Sequence, residues 1–315
     1  MAKSASHRLA QGVYAALATP RRPDSTEIDT AALLDYLDTV VQTGVDGLVL
    51  FGATGEFIHF DLEERQHAFN MAVRRSRVPV LVNVSHSTLN GAIALADNAI
   101  GGGAAGLLLM PPYFYKYTDD EIHHFYVKFA GALGESVPIY LYNIPAFTNP
   151  LSTGLVARLL SDARFAGIKD SSGSWNMFDC LKSLRESRHF QLLVGNEKIY
   201  LRAMVEGADG VISGLAAACP ELIVAIDRAV KANQLDRARH LNDSLEAFLA
   251  WITKFPASVG IKQAAVARGW PTDHTGLPLP ANDVQLLDEF ADWVKQWMPA
   301  VLKQCEPEGT RAKGT

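Results

Sequence analysis

Two side chains at the ends of short apolar runs are the first candidates for chemistry in this sequence. Phe165-Ala166-Gly167-Ile168 leads directly into Lys169, and Ile139-Tyr140-Leu141 leads into Tyr142. An amine at the end of a buried strand is partly desolvated, which disfavours the ammonium and suits a nucleophile toward a carbonyl. A phenol facing the same space can relay protons while a carbinolamine forms and a C–C bond breaks. Each residue alone has a plainer reading: lysines mostly sit in water, and a lone core tyrosine mostly finds a backbone partner. A third run ends in Gly52-Ala53-Thr54-Gly55-Glu56. Closely spaced backbone N–H groups, one hydroxyl and two glycines would admit a carboxylate, although an ordinary tight turn has the same composition.

Other chemistries find less support. There are nine histidines, but no HExxH or HxH pattern, so no metal is expected. Asp119-Asp120-Glu121 ahead of His123-His124 reads as the acidic first turn of a helix. His59 and His86 follow the second and third apolar runs and could line a cavity mouth, but lone histidines are more often structural. The three cysteines, Cys180, Cys219 and Cys305, are odd in number and widely spaced. A disulfide framework or zinc-thiolate site is therefore not expected, and a reducing cytoplasm is. The net charge of −5, with Lys and Arg scattered apart from Arg74-Arg75-Ser76-Arg77, excludes a nucleic-acid partner. Residues 1–11 lack an apolar signal core, and the longest apolar stretch, near 104–112, is too short to span a bilayer.

The elements that would position Lys169 and Tyr142 follow one pattern. Apolar runs at 13–19, 47–51, 80–84, 106–110, 139–142, 165–169, 191–195 and 210–213 each have the length of a fully buried parallel strand. Amphipathic stretches lie between them: Ala31, Leu34, Leu37, Val40 and Val41 suggest one helix face, and Ile93, Ala96, Ala99 and Ile100 another. Gly-rich turns such as Gly102-Gly103 and Gly207 precede several runs, as left-handed helix ends require. Eight such units without a GxGxxG turn point to a closed (β/α)8 TIM barrel and away from an open nucleotide-binding sheet. The strand signal stops near 235, and residues 235–255, 258–268 and 282–303 read as helices. We expect residues 8–235 to form the barrel, 236–303 a small C-terminal helical domain, and 304–315 a tail without structure.

In their order and spacing, Gly52-Ala53-Thr54-Gly55-Glu56, Tyr142-Asn143-Ile144-Pro145 and Gly167-Ile168-Lys169-Asp170 resemble the dihydrodipicolinate synthase / N-acetylneuraminate lyase family. Met110-Pro111-Pro112-Tyr113, Gly195-Asn196-Glu197 and the stretch from Gly207 to Ser213 match as well. The resemblance implies a barrel with C-terminal helices, usually a homotetramer with a dimer as the alternative. It also implies class I chemistry on a 2-oxo acid and an aldehyde, with no cofactor beyond a covalent lysine–pyruvate imine. It makes Lys169 the imine-forming lysine and Tyr142 the proton shuttle. Ala53, Thr54 and Gly55 become the carboxylate cradle, with Gly195, Asn196 and Ile212 as further substrate-binding positions.

The departures bear on substrate. Family members that condense pyruvate with aspartate semialdehyde carry an arginine where this chain has Phe147, and a phenyl ring cannot pair bidentately with a carboxylate. They also carry a threonine at the Ala53 position. A tyrosine from a neighbouring subunit aligns with Phe114. These differences favour an aldolase that releases pyruvate from a 2-oxo-3-deoxy (sugar) acid. The alternatives are a dehydratase using the same imine, a 4-hydroxy-tetrahydrodipicolinate synthase with an atypical site, and a non-catalytic 2-oxo-acid-binding relative.

Overall fold

The computed structural model describes residues 9–23, 25–133, 137–256, 258–272 and 278–307. Eight parallel strands close in sequence order into one barrel. They are β1 (Gly12–Ala16), β2 (Gly47–Leu50), β3 (Val80–Asn83), β4 (Gly106–Leu109), β5 (Ile139–Asn143), β6 (Phe165–Asp170), β7 (Gln191–Val194) and β8 (Gly210–Ser213). Strand β8 returns to β1 with Tyr14 opposite Ile212, which seals the ring and leaves no edge. The strands are buried almost throughout, because the barrel interior covers one face and the helices cover the other.

Helices α1 (Thr30–Gln42), α2 (Leu62–Arg75), α3 (Leu89–Gly102), α4 (Asp119–Leu133), α5 (Thr153–Leu159), α6 (Trp175–Leu184), α7 (Tyr200–Val205) and α8 (Pro220–Lys231) alternate with the strands. Side-chain caps from Asp29, Asp61, Thr88, Ser152 and Ser174 start α1, α2, α3, α5 and α6, each satisfying an N–H that the first turn leaves without a partner. At the other end of α3, Gly103 takes φ +90° and its N–H closes on the carbonyls of Ala99 and Ile100, the left-handed stop expected of that glycine.

Two helix faces differ from expectation. In α1 the buried residues are Leu33, Tyr36, Leu37 and Val40, whereas Ala31 is exposed and Leu34 and Val41 are only half-buried. The stripe is turned by about one position because Tyr36 belongs to it: its hydroxyl donates to the Ala217 carbonyl deep in the core. In α3 the small residues Gly91, Ala92, Ala96 and Ala99 and the single large Leu95 face inward. The bulkier Ile93 and Ile100 are left half-buried at the margins.

Three helices follow the barrel: α9 (Leu235–Ile252), α10 (Val259–Ala267) and α11 (Ala281–Cys305). Phe248 of α9 stacks between Phe290 and Trp297 of α11, with centroids 6.0 and 5.2 Å away, contacts that add about 0.5–1.5 kcal/mol each beyond area burial. Helix α11 runs past 303, which corrects the expected start of the tail. Ser244 donates to Gln304 at 2.9 Å, and Arg237 caps the Glu306 carbonyl at 2.7 Å, so α9 extends the helix by holding its end. Residues 308–315 of that expected tail lie outside the described residues. Among the described residues, no helix is long and apolar enough to cross a membrane.

Candidate active site

Strands β5 and β6 pair with Tyr142 opposite Lys169 and Asn143 opposite Asp170. Because side chains alternate along a strand, the first pair faces the barrel interior and the second faces the helix layer. Lys169 is only 4% exposed, and its Nζ lies 4.0 Å from the centroid of the Tyr142 ring. Behind them, Asn143 donates to Asp170 at 2.7 Å and accepts from the Leu151 N–H at 3.0 Å, while the Ser172 hydroxyl donates to the second Asp170 oxygen at 2.7 Å. Burial pushes the Asp170 carboxyl up despite these donors. The outward pair clamps the two strand ends together, and that fixes the relative placement of the inward pair.

Gly195 closes the wall on the β7 side, its N–H donating to the Asp170 carbonyl at 2.8 Å. A Cβ on Gly195 would lie 2.8 Å from Lys169 Cε and closer still to Ser171 Oγ. Only a glycine lets the lysine stem and the serine pass. The Ser171 hydroxyl is buried beside that stem without a hydrogen-bond partner among the described residues. No motif in the sequence marks this serine, although it stands only two positions beyond the lysine.

The 52–55 loop emerges from β2 between two non-glycine residues in the left-handed region, Phe51 at φ 57° and Glu56 at φ 51°. Such backbone persists only where its surroundings over-determine it. Here Asn83 donates to the Phe51 carbonyl at 2.7 Å, Thr19 donates to the Gly55 carbonyl at 2.7 Å, and the Glu56 side chain is ion-paired with Lys262 of α10 and with Arg21. Among the described residues, nothing accepts a hydrogen bond from the N–H groups of Ala53 or Thr54. Thr54 and Ile261 of α10 both stand over Gly214, where an added Cβ would lie 2.8 Å from Thr54 Oγ1 and 3.3 Å from Ile261 Cδ1. Helix α10 therefore packs against the end of β8 and the 52–55 loop.

The remaining expected residues are less concentrated. Ile212 is fully buried within β8. The Asn196 amide is engaged with backbone, accepting from the Lys198 N–H at 3.1 Å and reaching the Ser171 carbonyl at 3.5 Å, so it shapes the turn. Phe147 and Phe114 are 60% and 87% exposed. Phe114 also takes φ 83°, a conformation a phenylalanine rarely adopts. His59 is exposed. His86 accepts from the Thr88 N–H through Nδ1 at 3.1 Å, and burial, reinforced by Arg65, lowers its pKa from the usual value. Arg65 itself went unremarked in the sequence. It is buried, donates to the carbonyls of Asn83 and Ser85 at 2.8 and 3.2 Å, and is pushed down to about 10 by desolvation.

The profile of the Dihydrodipicolinate synthetase family matches residues 9–297. The 4-hydroxy-tetrahydrodipicolinate synthase of Chlorobium limicola is 31% identical over 291 residues, covering 90% of this chain and 95% of that protein. The Escherichia coli K12 protein named "Probable 2-dehydro-3-deoxy-D-pentonate aldolase YjhH" is 32% identical over 262 residues, covering 80% and 85%. Among solved structures, YagE from E. coli K12, a prophage protein of the dihydrodipicolinic acid synthase family in complex with pyruvate, superposes with a TM-score of 0.85 at 26% identity, covering 92% of this chain and 99% of that one.

Proposed function

The chain belongs to the dihydrodipicolinate synthetase family, and we propose that it is a class I aldolase releasing pyruvate from a 2-oxo-3-deoxy acid through an imine on Lys169. The observation that carries this reading is the buried Lys169 amine against the Tyr142 ring, 4.0 Å from its centroid. The amine adds to the C2 carbonyl and water leaves, forming an iminium. The C4 hydroxyl then gives up its proton as the C3–C4 bond breaks. The electron pair flows into the iminium to leave a neutral enamine, and the aldehyde departs. Protonation at C3 and hydrolysis free pyruvate and the lysine. Tyr142 is the group within reach for these proton transfers, and its ring face favours the cationic iminium. The nitrogen is the electron sink, so the reading calls for no metal or diffusible cofactor.

The carboxylate is assigned to the N–H groups of residues 53–55 and the Thr54 hydroxyl, which together make a small anion-binding nest. Gly195 and Ser171 border the reacting carbons. With Phe147 in place of a cation, the aldehyde half is one that carries no strong anion there. YjhH's name and the pyruvate bound to YagE support this substrate class. We also read the working form as a homo-oligomer, a tetramer in particular. The exposed Phe114 ring, held edge-on to Tyr115 at 5.0 Å, gains most from burial against a second copy.

The test is a panel of 2-oxo-3-deoxy sugar acids assayed for pyruvate release, set beside the condensation of pyruvate with aspartate semialdehyde. Pyruvate release from a sugar acid well above the condensation rate is expected. Loss of water with the carbon skeleton intact, or a faster condensation, would reassign the reaction.

A further inference from the structure

Three strand ends are joined by a one-directional chain of buried hydrogen bonds. The Met110 N–H, just past β4, donates to Ser85 Oγ at 2.8 Å; the Ser85 hydroxyl donates to Asn83 Oδ1 at 2.6 Å; and Asn83 Nδ2 donates to the Phe51 carbonyl at 2.7 Å. A carbonyl can only accept, so Nδ2 must face Phe51. Oδ1 is then left toward Ser85, whose single hydroxyl proton is free to be given because its oxygen accepts from Met110. One amide orientation satisfies every group. Asn83 and Ser85 are fully buried, and Arg65 fixes their backbone by donating to both of their carbonyls.

The end of this chain is Phe51, held at φ 57° immediately before the 52–55 loop. If the Phe51 peptide relaxed toward the extended region that a phenylalanine prefers, the peptides that follow would rotate and the N–H groups of Ala53 and Thr54, which have no acceptor among the described residues, would point elsewhere. We propose that Asn83 is a positioning residue for the carboxylate-binding loop, holding Phe51 left-handed so that the loop N–H groups stay aimed at a 2-oxo acid carboxylate. This rests on the reading of that loop as the carboxylate site. Asn83 touches no reacting atom; its action passes through the Phe51 carbonyl.

The test compares wild type with Asn83→Ala and Asn83→Asp, the second keeping the size of the side chain while losing its donor. Two readouts are taken: hydrogen–deuterium exchange of the 51–56 segment without ligand, and the pyruvate concentration giving half-maximal borohydride-trapped adduct on Lys169. Both variants should exchange faster in this segment and need about tenfold more pyruvate, with the adduct yield at saturation retained. Reduced thermal stability with unchanged half-saturation would overturn the proposal, as would unchanged exchange. Should wild type itself trap no pyruvate, the imine reading falls; the exchange measurement still decides whether Asn83 holds the loop. If Asn83→Ala does not fold, Ser85→Ala, which frees the amide to rotate, carries the same expectation in smaller size.

Discussion

Lys169 and Tyr142 stand opposite each other on neighbouring strands, and the lysine nitrogen lies over the tyrosine ring, 4.0 Å from its centroid. The pairing is enforced from behind by Asn143 and Asp170, whose side chains bond across the same two strands at 2.7 Å. The two side chains to which the proposed mechanism gives the roles of nucleophile and proton carrier are thus held in one register by backbone geometry.

Tyr142→Phe keeps the ring under Lys169 and removes only the hydroxyl. Turnover should fall by about 10²–10⁴-fold, with thermal stability near wild type. Steady-state kinetics beside a melting curve checks this. An unchanged kcat would make Tyr142 a packing residue.

Gly195→Ala tests the closeness of the β7 end to the lysine. Its methyl group would lie 2.8 Å from Lys169 Cε, so the amine must shift, and a shift of order 1 Å costs about 10²-fold in rate. Adding Ser171→Ala removes the other obstruction and should recover part of the loss. Wild-type kcat in the single variant would mean that the stem has room to spare.

Breaking the buried pair between Lys262 and Glu56 should be expensive. Lys262→Met leaves a carboxylate with side-chain exposure of 10% whose other ion-pair partner among the described residues is Arg21, at 3.7 Å. A loss of about 3–5 kcal/mol in unfolding free energy is expected, measurable by urea titration. Lys262→Met with Glu56→Gln should be more stable than Lys262→Met alone.

His86 makes the stability pH-dependent. Its folded-state pKa is lowered, chiefly by burial, so the unfolded chain binds the proton more readily. That difference favours the folded state fully above the unfolded value of about 6.5, and is lost as pH falls below it. Wild type should lose more stability between pH 7.5 and 5.5 than His86→Asn, and equal losses would contradict this.

Much of this architecture was legible in the sequence, for identifiable reasons. Fully buried parallel strands must be continuously apolar, so all eight runs could be counted, and Lys169 and Tyr142 stood out because each ends one. Helix faces were read less well because a tyrosine can belong to a buried stripe, as Tyr36 does through its bond to Ala217. The ties that hold the 52–55 loop were invisible. Glu56 and Lys262 are 206 positions apart, and Asn83 and Ser85 look like ordinary strand-end polar residues until the Phe51 carbonyl is placed beside them. Asn196 was singled out from its motif, yet its amide is taken up by the backbone of its own turn and of Ser171.

The most direct test of the central claim is mass spectrometry of the intact protein after pyruvate and borohydride, followed by peptide mapping. Reduction converts an iminium into a stable secondary amine. One pyruvate-derived adduct per chain is expected, located on Lys169 and absent from Lys169→Ala that remains folded. An adduct on another lysine, or none on wild type with pyruvate in excess, would contradict it.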